Sequence, residues 1–75
     1  DQKNDNFFHK LKEIDSKLNE SYLLFCSYVK MGKSNKEIAE LLNVSVAAVE
    51  KRKYRLKKKW GLDNETSFTD YLRGL

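Results

Sequence analysis

"SNKEIAELLNVSVAAVEKRKYRLKKKWG", residues 34–61, holds two helical patterns with almost nothing between them, and the second carries a run of positive charge. Ser34 followed by Glu37 forms the S-x-x-E capping box, which satisfies orphan amide donors at a helix start. Behind it Ile38, Leu41 and Leu42 share one face of a short helix. Asn43 tolerates a left-handed backbone and can stop that helix, Val44 can plug inward, and Ser45 can cap the next one. Two helices joined by so tight a turn must cross steeply, which is helix-turn-helix geometry.

The second helix, expected over 45–60, can be projected at about 100° per residue. Val46, Val49, Leu56 and Trp60 then fall on the core side. Ala47, Glu50, Lys51, Tyr54 and Lys58 fall away from it, with Arg55, Lys57 and Lys59 at the borders. Gly61 ends the helix, and Leu62 can fold back on Leu56 as the residue after a helix-ending glycine commonly does.

Working outward, residues 20–31, "ESYLLFCSYVKM", are apolar on most sides and read as the central helix, with Tyr22, Phe25, Cys26 and Val29 as its core line and Gly32 as its left-handed cap. Before it, "NFFHKLKEIDSKL" places Phe7, Leu11, Ile14 and Leu18 at helical spacing, which predicts one amphipathic helix reaching Leu18. His9 beside that stripe has no partner at metal-ligand spacing and reads as a surface histidine. After it, Ser67 and Asp70 cap a short terminal helix. The fold class expected is all-α: a four- to five-helix bundle in one domain over 1–75, with a leading helix (1–18), a core unit (19–62) and a terminal helix (63–75). Phe25, Val29, Ile38, Leu42, Val49, Leu56 and Trp60 are expected in one core.

At 75 residues, a chain hides only about 60% of its unfolded surface on folding, so the core is small. The single cysteine permits no internal disulfide and, in its apolar setting, reads as a buried inert thiol. That points to a reducing, cytoplasmic location, while the opening Asp1 points to a piece of something longer whose parent could be membrane-anchored. No apolar run nears the roughly 20 residues of a membrane span. With one histidine and one cysteine, no glycine-rich phosphate loop and no clustered carboxylates, the residues supply neither nucleophile and base nor a metal or cofactor site.

Net charge is +4, and residues 51–59, "KRKYRLKKK", concentrate seven of the fifteen basic side chains with no acid among them. Such a patch gains from releasing the counterions condensed on nucleic acid. Ala47, Glu50, Lys51 and Tyr54 are the expected base-reading residues, and Lys36, Ser45, Lys53, Lys57 and Lys58 the expected phosphate contacts. The expected partner is double-stranded DNA. Other readings of the same residues are a sigma-factor-like promoter-recognition domain working with RNA polymerase, a helical protein–protein interaction module, and a basic helix lying on anionic lipid. The last is disfavoured because Leu56 and Trp60 are better used closing a small core.

"GKSNKEIAELLNVSVAAVEKRKYRLKKKWGL" resembles the DNA-binding domain of LuxR-type (GerE-like) transcription regulators, following G-x-S-N-K-E-I-A-x-x-L-x-[IV]-S-x-x-T-V without a gap. The phenylalanine-rich helix in front looks similar to effector domains that end large sensor-regulators of Bacteroides-type bacteria in two-component signalling. The resemblance implies a four-helix fold, the helix from Ser45 in the major groove, and dimer formation through the last helix. Phe68, Tyr71 and Leu72, with Leu75, offer more apolar surface than one helix usually needs and would form that two-fold contact, unless the helix only covers the end of the central one. Tyr22, Ala48, Glu50 and Arg52 depart from the family, which usually has glutamate, threonine, lysine and histidine there. Glu50 either accepts a hydrogen bond from cytosine N4 or repels phosphates as a filter.

Overall fold

A computed structural model describes residues 2–75, with side chains from Asn6 onward; Asp1 lies outside the described residues. The described residues form five α-helices and no strand: α1 (Gln2–Ile14), α2 (Glu20–Lys30), α3 (Asn35–Leu42), α4 (Val46–Lys59) and α5 (Phe68–Arg73). The fold is all-α, as its periodicities predict. Helix α3 packs on α4, and α2 packs on α5, α3 and α1.

Helix boundaries follow local chemistry. The Ser34 side chain accepts from the Glu37 N–H at 3.1 Å while Glu37 accepts from the Ser34 N–H at 2.9 Å, so both halves of the capping box are present. That amide bond holds the Glu37 carboxyl below its ordinary range. Ser45 accepts from the Ala48 N–H and Ser67 from the Asp70 N–H. Three helix ends share one device. After α2 the N–H of Gly32 bonds the Val29 carbonyl and that of Lys33 the Tyr28 carbonyl; Asn43 and Val44 repeat this after α3, and Gly61 and Leu62 after α4. Gly32, Asn43 and Gly61 are left-handed, with φ of 86°, 57° and 73°. These are Schellman closures, and Val44 and Leu62 pack against the core where the motif places an apolar residue.

Phe25, Cys26, Val29, Ile38, Val49, Leu56, Leu11 and Leu72 anchor a single buried cluster. Burial pushes the Cys26 thiol up to about 12, as expected of an inert buried cysteine.

The structure corrects several expectations. Helix α1 stops at Ile14, which is exposed, and Leu18 is buried from a turn rather than from the helix. The cause is Asp15: its N–H still bonds the Leu11 carbonyl, but its carboxylate reaches forward to accept from the Lys17 N–H at 3.1 Å, a local bond that competes with helix continuation. Leu41 is exposed because α3 buries a stripe centred on Ile38 and Ala39, and Leu41 lies about 60° outside it. Val46 is exposed together with Ser45 and Ala47, so full burial on α4 begins only at Val49. Leu42, Tyr22 and Trp60 are only partly buried and pack around the cluster, whereas Leu23 is inside it. Trp60 is only half-buried, so Trp60→Ala should cost less than the full deletion of a buried aromatic, about 3 to 5 kcal/mol.

Phe68 and Leu72 are also committed inward. Phe68 stacks on Phe25 at 6.3 Å and meets Trp60 at 5.7 Å, while Tyr71 lies 6.0 Å from Trp60. Arg73 Nε donates to the Lys30 carbonyl and its guanidinium lies against Gly32, fastening α5 to the end of α2. The residues expected to form a dimer contact are thus largely used within the chain: Phe68 and Leu72 are buried in its own core, while Tyr71 is half-buried against it, as is Leu75.

Candidate nucleic-acid interface

Helix α4 is clamped at both ends and along one side. Its start is capped by Ser45, its inner face is held by Val49 and Leu56, and its last turn is tied to Asp15. Lys59 Nζ lies 2.7 Å from Asp15 Oδ2, and Trp60 Nε1 donates to the same oxygen at 3.3 Å. Asp15 is only 7% exposed. The Lys59 bond, followed by the Lys17 amide and Trp60, holds its carboxyl below the ordinary range against the opposing effect of burial.

The outer face of α4 carries the four residues expected to read bases, and all four are exposed. Ala47, Glu50, Lys51 and Tyr54 line one shallow hollow together with Arg55. Arg55 had appeared only at the border of the helical projection; its place four residues after Lys51 is the signal that puts it there. Tyr54 is 62% exposed and makes one wall of a second hollow, with Lys57, Lys58, Leu62 and Asn64.

The cationic run divides by function. Arg52 turns inward: it donates to Ser21 Oγ at 3.1 Å and its guanidinium lies 4.9 Å from the Tyr22 ring centre. Two departures from the LuxR-type pattern, Tyr22 and Arg52, thus meet each other in a cation–π contact. Lys53 Nζ donates to Asn35 Oδ1, linking the middle of α4 to the start of α3. Desolvation pulls the Lys53 ammonium below its ordinary range while Glu50 pushes it back up. Lys57 reaches the Asn64 carbonyl at 3.4 Å, and Lys59 is spent on Asp15. Lys51, Arg55 and Lys58 stay exposed on the outer face, with Lys36 and Ser45 exposed at the starts of α3 and its successor.

Other chemistry is sparse among the described residues. No group of three or more His, Cys, Asp or Glu side chains is placed to hold a metal ion. His9 pairs with Glu13 at 3.3 Å on the surface of α1. No described helix is long and apolar enough to cross a membrane.

A family model described as Sigma-70, region 4, matches residues 31–59, the segment from the end of α2 to the end of α4. No curated protein and no solved structure matches the chain. The match and the geometry agree on the coarse conclusion: residues 31–59 form a helix-turn-helix of the DNA-binding kind.

Proposed function

We propose that this chain is a single domain that binds double-stranded DNA in a sequence-specific way, laying α4 in the major groove, and that it acts by binding rather than by catalysis. The observation that carries the reading is the gathering of Ala47, Glu50, Lys51 and Tyr54 on one exposed face of a helix whose other faces are fixed. Side chains at the front of a rigid helix reach base edges, and cations at its margins meet phosphates. Lys36, Ser45, Lys57 and Lys58 take the phosphate role. Lys53, held by Asn35, sets the angle between scaffold and reader. The parent is a bacterial transcription regulator of the LuxR-like kind, with this domain as its effector.

A second reading is favoured by the family match: a sigma-factor-like promoter-recognition domain. The two differ in partner. A promoter-recognition domain of that kind works as part of RNA polymerase, whereas an effector domain of the first kind selects its duplex on its own. Sequence-specific binding by the isolated chain favours the first, and sequence selection only in the presence of core enzyme favours the second.

Reading and holding contacts separate by mutation. Lys51→Ala should cost about 1 to 3 kcal/mol on a preferred site and relax choice among sequences. Lys58→Ala should weaken binding to all duplexes alike and lower the salt slope by about 1. Titrations of both variants on preferred and unrelated duplexes check this. Unchanged sequence preference in Lys51→Ala, with altered preference in Lys58→Ala, would place the reading face elsewhere.

A further inference from the structure

Glu50 is an exposed carboxylate on a helix rich in cations, yet among the described residues it enters no ion pair. It shares its hollow with Arg55, Lys51, Tyr54 and Ala47. An ionised carboxylate only accepts hydrogen bonds, so against DNA it is repelled by phosphates and by every acceptor on a base edge. In the major groove the donors available to it are the amino groups of cytosine and adenine. Adenine sets its N7 acceptor beside the amino group, where a second carboxylate oxygen would meet it; cytosine does not. Guanine, the partner of cytosine, offers O6 and N7, two acceptors that match the fork of an arginine.

Resting on the DNA-binding reading above, we propose that the hollow reads a C·G step: Glu50 accepts from cytosine N4, and Arg55 donates to O6 and N7 of a guanine in the same or the adjoining pair. Glu50 and Arg55 are then specificity-determining residues, and the free state of Glu50 keeps its acceptors available for the base. The opposite charges of the two side chains make the hollow complementary to the donor and acceptor edges of this pair, and to no A·T pair.

Selection from a duplex library with a randomised centre tests this, using the 75-residue chain and its Glu50→Gln and Arg55→Ala variants. The wild type should enrich a motif with a fixed C·G pair. Glu50→Gln should lose that preference, shifting toward A·T because an amide pairs with adenine N6 and N7, and should bind the wild-type motif roughly 5- to 150-fold more weakly. Arg55→Ala should lose the preference for guanine. Both residues are exposed, so thermal melts of the variants should match the wild type. A motif that survives Glu50→Gln unchanged overturns the inference while leaving sequence-specific binding intact, and so does a variant that only gains affinity for unrelated DNA. Failure of the wild type to enrich any motif overturns the sequence-specific reading itself.

Discussion

Phe25→Ala should remove a large share of the domain's stability. Phe25 is 0% exposed, stacks on Phe68 at 6.3 Å and meets the edge of Tyr22 at 6.5 Å, so it joins α2 to α5 beneath the recognition helix. Deleting a buried aromatic ring costs about 3 to 5 kcal/mol. A chain of 75 residues has only about 4 to 11 kcal/mol of stability in total. At about 4 °C or more per kcal/mol for a domain of this size, the melting midpoint should fall by at least about 12 °C. Far-UV circular dichroism melts check it, with Tyr54→Ala as the comparison: Tyr54 is 62% exposed, and its loss should leave the midpoint nearly unchanged. A Phe25→Ala midpoint within about 5 °C of wild type would contradict the packing described.

Asp15→Asn should be the most damaging polar substitution. The side chain is 7% exposed and its carboxylate holds Lys59, Trp60 Nε1 and the Lys17 amide. Hydrogen bonds to a charged group contribute about 1.5 to 3 kcal/mol; the half-exposed Lys59 is screened by solvent, which sets the expected loss toward the lower figure. The pH dependence has a definite sign. Because the Asp15 carboxyl is held below its unfolded value, near 3.9, its contribution is complete above about pH 4 to 5 and is lost as pH falls through the lower folded value. Wild type should therefore lose stability as pH falls below about 4, and Asp15→Asn should lose less over that range. Denaturant unfolding at a series of pH values measures both slopes. Equal slopes would mean that the Asp15 cluster contributes nothing.

The helix pair was legible because its determinants are local. Ser34 and Glu37, Asn43 and Ser45 act within a few residues of where they stand, and each bond expected of them at the helix ends is formed. The outer face of α4 was legible for the same reason: helical periodicity alone brings Ala47, Glu50, Lys51 and Tyr54 together. Asp15 was not, because Trp60 lies 45 residues away, and no spacing rule links a residue at a helix margin to a tryptophan at the far end of another helix. The Asn35–Lys53 bond, 18 residues apart, escaped similarly, so Lys53 looked like a free cation. Leu41 and Val46 show a further limit. Periodicity gives a stripe but not which edge of it a neighbour covers, and both lie on the uncovered edge. The apolar tail had two homes on paper, a second copy of the chain or its own core. The packing of Phe68 and Leu72 against α2 and Trp60 shows that these two side chains serve the chain's own core, and no local spacing announces those contacts.

Titration of the chain onto duplex DNA at several salt concentrations, with and without excess unrelated duplex, tests the central claim most directly. Binding through α4 predicts a complex whose log affinity falls linearly with log salt, by about 0.9 for each phosphate neutralised by residues such as Lys36, Lys57 and Lys58. It also predicts that a preferred duplex outlasts competition by unrelated DNA. No complex at low salt, or a complex whose affinity ignores both salt and sequence, would contradict it.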